Sequence, residues 1–377
     1  MRIGICCYPT YGGSGAVATE LGLSLARLGH EVHFVSYARP ARLCGFHPNV
    51  TFHRVQVTPY PLFKYPPYDL ALASLLRDVA ESRDLDVLHV HYAIPHAVSA
   101  VLARDMLGRD RPRIVTTLHG TDITIVGTDR AFFRPTLYGI ERSDAVTTVS
   151  QWLRQETMRF FRPARAIEVV PNCVDVGRFR PQDSSDLRRG LAQPDEFVLS
   201  HVSNFRPVKR VRDVVSIFAG VAAQVPARLL LAGEGPELAA AEEEARAAGV
   251  GGRVHVLGEQ EDVERVYGAS DLFLLPSDQE SFGLAALEAL ACGVPVVGSR
   301  AGGLPEVVRD GVTGFLVEVG ESAEATARCL TLLRDAALRR RFGAAARDDA
   351  VARFAERDVV ARYVAIYERV LATAPAG

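Results

Sequence analysis

Short apolar runs alternate with amphipathic stretches along the 377-residue chain. Arg2–Cys7 is the first apolar run, followed by a glycine-containing loop and a helix-period stretch over Ala16–Leu28 that ends at Gly29. Further strands are predicted at Val32–Tyr37, Thr51–Val57, Val87–His91, Ile114–Leu118 and Ala145–Ser150, with helices at Leu70–Ser82, His96–Leu107 and Phe132–Glu141. Strand–helix alternation of this kind predicts a parallel sheet with helices on both faces. From Val174 to Pro194 the chain turns polar and contains Pro181 and Pro194, which marks an expected linker. A second series then places strands at Phe197–Val202, Arg228–Ala232, Val254–Leu257, Leu272–Leu275 and Pro295–Gly298, and the chain is helical from Ala323 onward. The expected fold class is α/β with two doubly wound domains, residues 1–173 and 195–354, joined by 174–194. A C-terminal helix, 355–377, is placed to pack back on the first domain. PELAAAEEEARAAG is expected as a solvated surface helix. Gln151–Ala166 mixes Trp152, Phe160 and Phe161 with Arg154, Arg159 and Arg162, and is expected as a packed helix rather than a membrane-surface one.

The densest candidate chemistry lies in Glu280–Gly303, ESFGLAALEALACGVPVVGSRAGG. Ser281 is the expected N-cap of a helix over Phe282–Ala291, Gly293 its stop and Val294–Gly298 an apolar strand. First-turn N–H groups lack intrahelical acceptors, so the backbone at Phe282, Gly283 and Leu284 can hold an anion or sugar hydroxyls. Glu288 sits among Ala285, Ala286, Leu287, Ala289 and Leu290, a helix almost without a polar face. It is expected to be buried and to need a partner, either a ligand hydroxyl or an arginine.

Three other segments carry candidate chemistry. SNFRPVKR, residues 203–210, follows a strand and opens a helix, at the sheet edge where open α/β folds bind ligands. Arg206, Lys209 and Arg210 there are expected to neutralise a diphosphate, since cations at a helix N-terminus oppose its dipole and gain little structurally. Gly13, Gly15 and Ala18 formally satisfy the dinucleotide fingerprint G-x-G-x-x-[GA]. Tyr8–Gly12 is too long for that fingerprint's tight turn, however, and Val32–Tyr37 does not end in a ribose-binding acid. An NADP-dependent oxidoreductase with Arg39 on the phosphate is therefore the remote alternative, and an open glycine loop with Ser14 at the helix start suits a diphosphate better. In TTLHGTD, residues 116–122, His119 is open to four roles: metal ligand, general base, donor to a sugar hydroxyl, or satisfied structural histidine. No second metal ligand stands at a useful spacing and no D-x-D pair lies near a glycine loop, so no metal is expected.

Composition narrows the classes. A net charge of −2 offers no basic face for nucleic acid. No apolar segment approaches the ~20 residues of a membrane span, and Met1 and Arg2 lead into a strand rather than a signal peptide. A cytoplasmic protein without stable membrane association is expected. Six cysteines lack C-x-x-C or zinc spacing and are expected as buried free thiols. Of 43 basic residues only Lys64 and Lys209 are lysine. Base bias explains abundant arginine but not where two lysines survive. A planar guanidinium replaces a compact ammonium poorly, so both lysines are candidates for contact with a charged ligand.

Glu280, seven intervening residues, Glu288 and the following GVPVV strand and glycine turn resemble the E-x7-E segment of retaining glycosyltransferases built as two facing Rossmann-like domains of the GT-B type. The resemblance implies that Glu288 binds the nucleotide ribose. It implies that Glu280, with the amides at Ser281, Phe282, Gly283 and Leu284, holds the donor sugar, and that His119 contacts the sugar's 6-hydroxyl. Lys209 and Arg206, with the amides of Gly13, Ser14 and Gly15, would stabilise the leaving diphosphate. The family places an arginine where this chain has Asn204, with Arg206 expected in its stead and Arg210 the alternative. CYPTYGGSGAVATELG, FKYPPYDLALAS, HVHYAIPHAV, TTLHGTDIT and NFRPVKRV are similar to one subfamily, which transfers N-acetylglucosamine from UDP-N-acetylglucosamine to the hydroxyl of L-malate at the start of bacillithiol synthesis. This implies those two substrates, no cofactor, and acceptor contacts at Lys64, Tyr92, Thr117 and Asn172, with Ser14 beside them. A homodimer is compatible with this reading. The nearest alternative is a lipid or polysaccharide acceptor.

Overall fold

A computed structural model describes residues 1–10, 12–58 and 61–373. The chain divides into two compact units, one formed by Met1–Asn172 with Glu356–Gly377 and the other by Cys173–Ala355.

In the first unit seven strands form one parallel sheet: β1 (Arg2–Cys6), β2 (Glu31–Ser36), β3 (Val50–Arg54), β4 (Val87–His91), β5 (Arg113–Leu118), β6 (Ala145–Thr148) and β7 (Ile167–Val169), in the order β3-β2-β1-β4-β5-β6-β7. The central strands are buried along their length, as near-continuous apolar runs require. The edge strand β7 has three residues, too few for a periodic signal, and was not expected. The helix Gln151–Phe161 is capped by Ser150, whose Oγ accepts from Leu153 N at 3.0 Å. It buries Leu153, Thr157 and Phe161, with Phe161 stacked on Phe133 at 4.9 Å, so it packs as an ordinary amphipathic helix. The terminal helix Glu356–Ala372 belongs to this unit. Tyr367 is buried against β4 with its hydroxyl 2.7 Å from His89 Nδ1, and Glu356 is held by Ser24 and Arg27.

The second unit repeats the topology with β8 (Phe197–Val202), β9 (Ala227–Ala232), β10 (Val254–Gly258), β11 (Leu272–Leu275), β12 (Val296–Ser299) and β13 (Gly314–Val317), in the order β10-β9-β8-β11-β12-β13. Here too the short edge strand, β13, escaped the sequence pattern. Residues 174–194, expected as a linker, lie within this unit. Val174 N donates to Phe354 O at 3.0 Å, Phe179 is buried, Arg347 donates to the Val176 and Phe179 carbonyls, and Ser185–Leu191 is helical. Proline and polar residues there signal irregular backbone, not absence of packing. The surface helix Leu238–Ala247 buries only small residues, Ala241 and Ala245. No helix among the described residues is long and apolar enough to cross a membrane.

In both sheets the strand order reverses at one point, between β1 and β4 and between β8 and β11. Crevices at the carboxyl ends of such strand pairs are where doubly wound folds bind ligands. Of the candidate substrate-contacting residues named above, all but Lys64, Thr117 and Asn172 follow one of these strands or the adjacent β5, and Thr117 lies within β5.

Candidate active site

In the second unit the carboxyl end of β8 leads into the loop 203–210. Phe205 anchors it, fully buried in a left-handed conformation (φ 37°) and stacked on His201 at 5.9 Å. Gly235 admits the loop, since a Cβ there would stand 2.0 Å from the Asn204 carbonyl oxygen. Asp278 N, after β11, donates to the Val208 carbonyl at 2.9 Å and ties the two crossover loops together. This brings Lys209 Nζ to 2.7 Å from Glu280 Oε1, which also accepts from Ser277 Oγ at 2.7 Å. Both bonds fall on Oε1, so Glu280 Oε2 has no protein partner among the described residues. Lys209 keeps 21% of its side chain exposed, and an ammonium with one N–H committed has two more to offer a phosphate.

Of the two arginines left open by the sequence, Arg210 is committed to Asp213 at 2.7 Å and Asp278 at 2.9 Å, and these bonds raise its pKa. Arg206 is exposed and pairs with no carboxylate among the described residues.

The helix predicted over Phe282–Ala291 runs from Leu284 to Ala291, and its N-cap position is Gly283, not Ser281. The correction has a steric cause. The chain enters the helix through a left-handed residue, φ 98°, and a Cβ at Gly283 would lie 2.7 Å from Leu304 Cδ1. The Phe282 side chain is core, edge-on to Phe354 at 5.6 Å, so only its backbone is available to a ligand. Gly302, φ 61°, lets the following turn close on the Glu280 carbonyl, which accepts from Gly303 N at 2.6 Å. Glu288 is buried as expected, at 4% exposure, and Tyr267 donates to its Oε2 at 3.1 Å.

In the first unit the helix after β1 begins at Gly13. Gly15 is required by packing, since a Cβ would lie 2.3 Å from the Thr10 carbonyl oxygen. At Gly13 a Cβ would meet no described residue within 4 Å. Ser14 Oγ accepts from Tyr92 at 3.0 Å, and Tyr92 follows β4 in a positive-φ conformation (89°). After β5, His119 is 9% exposed, with Nε2 2.8 Å from His91 Nδ1. Asp122 folds back to accept from the amides of Ala93 (2.9 Å), Gly120 (3.0 Å) and His119 (3.3 Å), and burial nevertheless pushes its carboxyl up to about 6. Thr117 is fully buried, with its hydroxyl shared among His89 (2.7 Å), Thr147 (2.7 Å) and Tyr363 (3.3 Å). Asn172 is buried just after β7. Lys64 is exposed on the loop before the helix Tyr68–Ser82, with Nζ 5.5 Å from the Tyr65 ring centre.

Four residues of this arrangement were not anticipated: Ser277, Tyr267, His91 and Asp122. Only His91 carried a signal. The H-x-H of β4 puts His89 and His91 on one face, and pairing of His91 with Thr117 sets His119 just beyond the strand end.

The two units are thus doubly wound parallel sheets, and the second carries an ammonium–carboxylate pair and a buried glutamate after the strands of its switch point. Residues 183–349 match the family Glycosyl transferases group 1, and residues 11–178 match Glycosyltransferase Family 4. The chain belongs to this glycosyltransferase family. It is 47% identical over 373 residues to the N-acetyl-alpha-D-glucosaminyl L-malate synthase of Bacillus anthracis, covering 98% of this chain and 97% of that one. The D-inositol 3-phosphate glycosyltransferase of Actinosynnema mirum is 32% identical over 81% of this chain and 80% of its own. Among solved structures, Anabaena HepE in complex with UDP and glucose matches with TM-score 0.84 at 23% identity, over 98% of this chain and 99% of that one. Sucrose-phosphate synthase from Thermosynechococcus elongatus matches with TM-score 0.82 at 22% identity, over 99% and 100%. These two likenesses show the fold class, GT-B, with two Rossmann-like domains.

Proposed function

We propose that this protein is a retaining glycosyltransferase that moves N-acetylglucosamine from UDP-N-acetylglucosamine to the hydroxyl of L-malate, the first step of bacillithiol synthesis, in the cytoplasm. The end-to-end 47% identity to the Bacillus anthracis enzyme carries this reading. The acceptor oxygen bonds to the anomeric carbon as the bond to the β-phosphate oxygen breaks, and the hydroxyl's proton passes to that leaving oxygen. No protein nucleophile is needed, so catalysis is positioning and charge stabilisation. In this reading Glu288 holds the ribose. Glu280 Oε2 and the amides from Ser281 to Leu284 hold the sugar, and Lys209 and Arg206 face the diphosphate with the amides of Gly13, Ser14 and Gly15. His119 meets a sugar hydroxyl. Release of UDP should require L-malate in a panel of hydroxy acids that includes inositol 3-phosphate. Release with inositol 3-phosphate and not with malate would overturn the acceptor assignment.

In this reading Lys64 supplies the cation for a malate carboxylate, with Ser14, Tyr92, Thr117 and Asn172 as lesser acceptor partners. The adjacent Pro66 and Pro67 stiffen the loop that presents it. A charge-assisted contact of this kind predicts that Lys64→Ala raises the KM for malate about tenfold with donor affinity unchanged. Steady-state kinetics with malate varied at saturating donor checks this, and an unaltered malate dependence removes Lys64 from the site.

Among the described residues no three His, Cys, Asp or Glu side chains converge as metal ligands. Turnover is expected to persist in EDTA. Loss of activity that is restored by a divalent cation would overturn this.

A further inference from the structure

Four buried histidines gather in the first unit around the ends of β4 and β5. The His89 and His91 rings stack with centres 4.5 Å apart, and the His91 and His119 rings with centres 5.1 Å apart. Burial drives all four below the ordinary imidazole range, His89 and His119 to about 3, His96 to about 4, and His91 also well down. Each is therefore neutral near pH 7, with one N–H and one bare ring nitrogen. Only one proton can lie between His91 Nδ1 and His119 Nε2, which are 2.8 Å apart.

The surroundings of His91 decide which ring holds that proton. His91 Nε2 is buried and has no partner. If His119 were the donor, His91 would carry its own proton on Nε2 and bury an N–H with nothing to accept it. If His91 is the donor, what stays unpaired is a lone pair. Orphaned buried N–H groups are rarer than under-satisfied acceptors. Neighbouring His96 adopts the same solution: its Nδ1–H donates to the His91 carbonyl at 2.5 Å, and its bare Nε2 is left buried and unpaired.

We infer that His91 donates its Nδ1–H to His119 Nε2 and thereby locks His119 in the tautomer with its proton on Nδ1, so that His119 meets its ligand as a neutral N–H donor. Of the four roles open to His119 from sequence, this removes two and favours the hydroxyl donor. A nitrogen that already carries a proton is neither a base nor a metal ligand, and it takes an oxygen acceptor such as a sugar hydroxyl. His91 is then a positioning residue acting through His119. The identity of the ligand rests on the function proposed above, but the tautomer does not.

Nitrogen NMR of the histidine rings in the unliganded protein distinguishes protonated from bare ring nitrogens. The expected result is His119 protonated on Nδ1 and bare on Nε2, and the reverse pattern overturns the inference whatever the enzyme's substrate. Kinetics supplies the second arm. In His91→Asn the amide N–H takes the place of Nδ1–H, so donor KM should stay within about twofold of wild type. In His91→Leu it should rise roughly fivefold to tenfold, with inhibition by UDP unchanged because only the sugar contact is loosened. Equal losses in the two variants, or weakened UDP inhibition, count against the role of His91. If wild-type protein binds UDP but not the nucleotide sugar, the proposed function fails while the NMR result stands on its own.

Discussion

Lys209→Ala is expected to slow turnover by about a hundredfold to a thousandfold while changing UDP-N-acetylglucosamine affinity only a few-fold. In the proposed site the ground-state diphosphate already carries its charge and would have other partners in the exposed Arg206 and the loop amides. What changes along the reaction is the β-phosphate oxygen, which gains charge as the glycosidic bond breaks. A cation held at that oxygen lowers the barrier more than it tightens binding. The Lys209 ammonium is fixed in advance of any ligand, by Glu280 Oε1 at 2.7 Å, and Ser277 also donates to Oε1 at 2.7 Å. No reorganisation is then needed when the charge appears. Comparing kcat with the donor dissociation constant tests the assignment. Equal losses in both would mean that Lys209 binds ground state and transition state alike. Thermal melting controls for the other effect of the substitution, which leaves the nearly buried Glu280 with Ser277 as its remaining partner.

The sequence and the fold agree where local pattern decides the outcome and part where distant residues must meet. Apolar runs such as Val87–His91 and Leu272–Leu275 announced central strands because both their faces are covered. β7, at a sheet edge, has three residues and too little length for a pattern, and β13, an edge strand of four, opens on Gly314, a poor strand former. Ser281 drew the helix start because serine caps helices well, yet close approach of Leu304 demanded a glycine in the left-handed region two residues later. The burial of Glu288 was legible in its alanine and leucine neighbours. Its partner was not, since Tyr267 lies 21 residues away on another element. The Lys209–Glu280 pair spans 71 residues and exists only because β8 and β11 adjoin at the switch point. Lysine scarcity had marked one member of that pair without showing its counter-ion.

Glu288 is the residue whose loss should separate function from stability. Its carboxylate is buried in a helix that otherwise offers the unit only alanine and leucine, and Tyr267 donates to it. A buried charge held this way is a poor contributor to folding, because desolvation opposes whatever its partners return. Glutamine preserves the shape and can still accept from Tyr267, so Glu288→Gln should leave the melting temperature unchanged or higher. The nucleotide should fare differently. A ribose hydroxyl donating to a carboxylate makes a charge-assisted bond, and replacing that acceptor by an amide forfeits ~1.5 to 3 kcal/mol, roughly tenfold to a hundredfold in dissociation constant. UDP itself should weaken by the same factor as UDP-N-acetylglucosamine, since the ribose belongs to both. Titration calorimetry with UDP, paired with a thermal melt, reads both quantities. Weaker UDP binding in a protein at least as stable is the outcome a ligand-holding glutamate requires. Unchanged UDP affinity together with a lower melting temperature would make Glu288 a structural residue and move the ribose elsewhere.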